Sequence, residues 1–74
     1  MNITYDPEGD VLEIVLRDVR PANSDEVAPD VTVLRDDEGD AVSIEILNAS
    51  KRIEGEPTSM SFKILLDQSA AASA

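Results

Sequence analysis

Apolar and polar residues alternate through most of the first two thirds of the chain, and the alternation comes in two matching blocks. Asp6-Pro7-Glu8-Gly9-Asp10-Val11-Leu12-Glu13-Ile14-Val15-Leu16 aligns, thirty positions on, with Asp36-Asp37-Glu38-Gly39-Asp40-Ala41-Val42-Ser43-Ile44-Glu45-Ile46, and Ile3 falls over Val33. A period of two is the mark of a half-buried strand. Met1, Ile3 and Tyr5 share one face of a first strand, and Leu12, Ile14 and Leu16 the inner face of a second. Between them, Asp6 can accept backbone N–H bonds, Pro7 presets a type I turn and Gly9 suits a left-handed closing position. The second block predicts the same pattern: Val31 to Arg35, a turn over Asp36 to Asp40, then Ala41 to Leu47 with Val42, Ile44 and Ile46 inward. Each block predicts a β-hairpin, and the two are expected to join edge to edge.

The remaining segments read differently. Arg17 to Ser24 breaks the alternation and predicts a loop, and Glu26-Val27-Ala28 predicts a short edge segment ended by Pro29-Asp30. Asn48 is placed to cap a helix over residues 49–54, stopped by Gly55 and Pro57, with Lys51 and Arg52 near the end where the dipole favours cations. From Thr58 the period returns to two. Met60, Phe62, Ile64 and Leu66 share one face, with Ser59, Ser61 and Lys63 on the other, which predicts a fifth strand, a helix being the alternative. The small residues from Ser69 to Ala74 predict a disordered tail. The expectation is one α+β domain over residues 1–68: a small antiparallel sheet of two repeated hairpins, a short helix near residue 50 and a fifth strand.

Composition narrows the chemistry. A chain of 74 residues buries only about 60% of its unfolded surface, and domains of this size lean on disulfides, metals or oligomerisation. There is no cysteine and no histidine, so thiolate ligands, the commonest zinc nitrogen ligand and the commonest general base are all missing. Oligomerisation remains, and a homodimer is the default expectation. Neither a signal-peptide pattern nor an apolar run near 20 residues occurs, which predicts a cytoplasmic protein.

Sixteen acidic residues against six basic give a net charge of -10. Phosphate backbones and anionic membranes would be repelled, so neither nucleic acid nor membrane is an expected partner. Two readings of the acidity stand. It steers association with a small basic protein, or it is adaptation to high salt, in keeping with Lys at only positions 51 and 63.

The opening residues, Asn2-Ile3-Thr4-Tyr5-Asp6-Pro7-Glu8-Gly9-Asp10-Val11-Leu12-Glu13-Ile14, resemble a group of short prokaryotic proteins known only as a domain of unknown function, whose members begin K-I-x-Y-D-x-E-x-D-x-L-Y-I. Ile44-Glu45-Ile46-Leu47-Asn48-Ala49-Ser50-Lys51-Arg52 resembles their second shared stretch, and the likeness covers roughly residues 1 to 53. Gly9 stands where Ala is commoner and Glu13 where an aromatic is usual. The resemblance implies a small β-domain with no established activity, cofactor or catalytic residue, in some members encoded beside small toxin-like proteins.

Candidate sites are few. Read as calcium loops, the two acidic turns fail: the sixth positions are Ala41 and Val11 rather than Gly, and Leu47 stands at the twelfth of the second. No metal or cofactor is expected. Hydrolysis needs an activated nucleophile or a pair of tuned carboxylates in a dry pocket, and neither is legible, so the chain is not expected to be an enzyme. Asn48, Ser50, Lys51 and Arg52 form the one polar cluster unlike its acidic surroundings, able to take a carboxylate or phosphate, or else simply a capped helix complementing its own dipole. Val11 and Val15, on the back of the first hairpin, are candidates for an interface. The functional expectation is a non-enzymatic, homodimeric interaction module that neutralises a basic partner in the manner of an antitoxin; the alternative is a small-ligand or ion-binding domain.

Overall fold

The computed structural model describes residues 1–66. Its core is a five-stranded sheet in the order β1-β2-β5-β4-β3, antiparallel at every pairing. The strands are β1 (Asn2–Asp6), β2 (Val11–Val15), β3 (Asn23–Ala28), β4 (Val31–Arg35) and β5 (Ala41–Leu47), followed by one turn of helix, α1 (Ala49–Arg52). The α+β class holds. β1 pairs with β2 and β4 with β5 through tight turns, and β2 meets β5 along its whole length.

The register sorts residues by row. One row crosses the sheet as Ile3, Ile14, Ile44, Val33 and Asp25, and another as Tyr5, Leu12, Ile46, Val31 and Ala28. Both lie on one face, which is apolar until it reaches β3. The intervening row runs Thr4, Glu13, Glu45, Thr32 and Glu26 on the opposite face, accompanied there by Asn2, Val15, Ser43, Leu34 and Ser24. The sheet is therefore amphipathic from β1 to β4, as the alternation predicts.

Nothing in the described protomer fully covers the apolar face. Leu12 (5% exposed), Val42 and Ala49 are the buried hydrophobic residues, and no large side chain is completely buried. Ile14, Val31, Val33, Ile44 and Ile46 are only half-buried. A single-layer sheet this thin leaves its apolar side half wet, whereas stable domains place a second layer there.

Several details depart from the sequence reading. In the first turn the left-handed residue is Asp10 (φ 56°) rather than Gly9, while Gly39 (φ 87°) takes it in the second as expected. Asp6 and Asp36 do accept the N–H of Glu8 and Glu38 at 3.0 and 2.9 Å. β3 is longer than the predicted edge segment, contains a bulge, and turns into β4 through Pro29 and Asp30 (φ 64°). That is the proline-then-positive-φ signature of a type II turn. The helix ends at Arg52, short of the predicted 54.

The predicted strand after Thr58 does not form: residues 60–66 are neither paired nor helical, and Met60, Phe62, Ile64, Leu65 and Leu66 are 50–85% exposed. A strand needs a neighbour to hydrogen-bond, and this segment has none among the described residues. The expected disordered tail from Ser69 lies outside the described residues.

Candidate functional site

Three strands end side by side at one rim of the sheet. Because Val11 pairs with Leu47 and Val31 with Ile46, the residues just outside them, Asp10, Asp30 and Asn48, come together at that rim. These are also the described non-glycine residues with positive φ, at 56°, 64° and 51°. Asp and Asn tolerate the left-handed region better than other residues with a Cβ, because their short polar side chains bond locally.

α1 is tied to this rim by two aspartates. Asp10 accepts the N–H of Ser50 on Oδ1 at 3.0 Å and its hydroxyl on Oδ2 at 2.6 Å, while the Asp10 carbonyl accepts the Ala49 N–H at 3.0 Å. Tyr5 donates its O–H to the same carboxylate at 2.8 Å. Asp30 Oδ2 accepts from Asn48 Nδ2 at 3.2 Å and from Arg52 Nε at 3.0 Å. Asn48 thus does not cap the helix with its own side chain; it sits in the left-handed region, and Asp10, from a turn far away in sequence, takes the orphan N–H groups.

The electrostatics follow from these bonds. Donation by Ser50 and Tyr5 holds the Asp10 carboxyl below its ordinary value, and Asn48 and Arg52 do the same for Asp30. The Tyr5 phenol is pushed up, chiefly because it donates to Asp10 and would lose that bond on ionising. Lowering the Asp10 carboxyl weakens it as a general base, and raising the Tyr5 phenol weakens it as a general acid.

The structure thus gathers Asn48, Ser50 and Arg52 from the sequence-predicted cluster and engages each of them with Asp10 or Asp30. Lys51 makes no ion pair among the described residues. Val11 and Val15 lie on the opposite, glutamate-bearing face, half-buried on either side of Glu13. Sequence reasoning missed Asp10 and Asp30 as the organisers of the rim. The available signal was an aspartate directly before an apolar strand in both places, in Gly9-Asp10-Val11 and Pro29-Asp30-Val31.

At the other rim, Arg17 donates to Asp36 at 2.7 Å and to the Ala41 carbonyl at 3.3 Å, pinning the long β2–β3 loop to the β4–β5 turn. Arg35 joins Asp25 at 2.6 Å and the Gly39 carbonyl at 3.1 Å. The Asp36 carboxyl is held low, chiefly by Arg17. A depression of about 300 Å³ between Arg17, Arg20 and the acidic turn is open to solvent. No group of three or more Asp, Glu, His or Cys with metal-binding geometry occurs among the described residues, and no helix there is long and apolar enough to cross a membrane.

Residues 2–50 match the family described as protein of unknown function (DUF2283). The chain belongs to DUF2283. The DUF2283 match takes in all five strands and ends at Ser50 inside α1, so Lys51, Arg52 and the apolar segment after Pro57 lie beyond it. No curated protein and no solved structure matches the chain.

Proposed function

We propose that this chain is a non-enzymatic protein-interaction module that works as a homodimer, with its apolar sheet face as the surface joining the copies. The observation that carries this is the segregation of charge. In a chain with 16 acidic residues, the two rows headed by Ile3 and Tyr5 hold no carboxylate until Asp25 on the far edge strand. Half-exposed apolar residues running across four strands fit an interaction surface. Two such sheets stacked about 10 Å apart would form a sandwich and supply the missing second layer.

The opposite face, with Glu13, Glu45 and Glu26 in one row, stays outward in this arrangement. There it can steer a small basic protein, the antitoxin-like role. Val11 and Val15, the interface expected from sequence, belong to this outward face and would serve the second partner rather than the dimer. We also read β1–β2 and β4–β5 as two copies of one hairpin unit, to be checked by superposing residues 2–16 on 32–46 in an experimental structure.

The test compares one lysine on each face. Ile44→Lys should shift the protein to monomer in light scattering, with Val15→Lys leaving the dimer intact. Disruption by Val15→Lys alone would reverse the assignment of faces.

A further inference from the structure

We infer that residues 59–66 form an exchanged strand, adding to the free edge of β1 in the partner copy; this rests on the homodimer reading above. The segment has the pattern of a strand and the exposure of one without a neighbour: Phe62 is 77% and Leu66 85% exposed. Buried on a second protomer without pairing, its backbone N–H and C=O groups would go unsatisfied, so it must join an edge.

The two edges of the sheet differ. β3 carries Asp25 and Glu26, is broken by a bulge and runs into Pro29, all devices that deter pairing. β1 pairs with β2 without a bulge, has no proline, and is neutral from Asn2 to Tyr5. It is the open edge. A strand added there with Phe62 and Ile64 beside Ile3 extends the apolar face. The same register places Ser61 and Lys63 on the other side, next to the row that begins with Thr4 and Glu13. One of the two lysines in the chain then lies against the acidic face.

Size points the same way. Five strands spaced about 4.8 Å apart and about 17 Å long present roughly 400 Å² in projection, against about 800 Å² per partner in a standard interface. The face alone falls short, and eight extended residues spanning about 26 Å add roughly 100 Å² of projection, which narrows the gap, with edge-to-edge pairing along β1 as further contact.

Phe62→Asp in the full chain tests this, because Phe62 is exposed in the protomer and its loss should leave the sheet's circular dichroism unchanged. The dimer dissociation constant should rise by about tenfold or more, as for an aromatic anchor. Isotope-filtered NOEs in a mixture of labelled and unlabelled wild-type chains should connect the Phe62 ring to Ile3 of the other chain. An unchanged dissociation constant, or NOEs confined to one chain, overturns the exchange while leaving the dimer in place. A wild-type chain that is monomeric at every concentration overturns the homodimer reading itself.

Discussion

At the scale of single residues, the described non-glycine residues with positive φ gather in one place. Asp10, Asp30 and Asn48 all adopt positive φ at one rim, and the bonds radiating from them fasten α1 to the sheet. Replacing Asn48 by Val puts a β-branched residue in the left-handed region, at a cost of about 1–3 kcal/mol. Urea denaturation would read this, with Asn48→Gly, which loses the bond to Asp30 but carries no left-handed strain, costing less than Asn48→Val. Asp10, Asp30 and Asp36 have folded-state values below the ordinary 3.8 of a free aspartate. Their contribution is therefore complete above the unfolded value and lost as pH falls through the folded values. Between about pH 5 and pH 2 the wild type should therefore lose more melting temperature than Asp10→Asn. An equal drop in the variant would show that Asp10 has no part in it. The sequence signals this rim only through the aspartates that precede β2 and β4. Asn48 looked like the cap because capping is read locally, whereas the residue that caps is supplied by strand register from 40 positions away.

At the scale of elements, alternation foretold which residues face inward on β2, β4 and β5, because burial on one face leaves that imprint on the sequence. It failed in two instructive places. β3, Asn-Ser-Asp-Glu-Val-Ala, is exposed throughout, so its pairing with β4 leaves no hydrophobic trace, and only its last three residues were predicted. Residues 60–66 alternate well yet form no strand in the protomer, since a period reports an amphipathic segment and says nothing of whether a neighbour exists. Within the sheet, Glu13 and Glu45 stand directly opposite each other on β2 and β5. Like charges so placed repel, and Glu45→Lys should stabilise the fold by about 0.5–1 kcal/mol in denaturant titrations. A loss of stability would mean that the Ser43 hydroxyl bond to Glu13, at 3.4 Å, depends on the present arrangement.

At the scale of the whole molecule, composition and architecture converge. A net charge of -10 on 74 residues opposes compaction, and pairing two copies doubles that charge. Raising salt from about 0.01 to 1 M shortens the screening length from about 30 to 3 Å. The melting temperature should climb steadily across that range, the behaviour expected of a protein suited to high salt; a flat response would assign the acidity to partner recognition alone. In the proposed dimer the repulsion is eased because the two apolar rows carry no carboxylate before Asp25 on β3. Family membership matched what the opening motif implied, whereas the proposed homodimer rests in the sequence on size alone, because no residue pattern names the partner of an apolar face. Sedimentation equilibrium of the wild-type chain at high salt over a wide concentration range tests this most directly. The account predicts a species of twice the 8.0 kDa chain mass at micromolar concentrations. A single 8.0 kDa species persisting to millimolar concentration would contradict it.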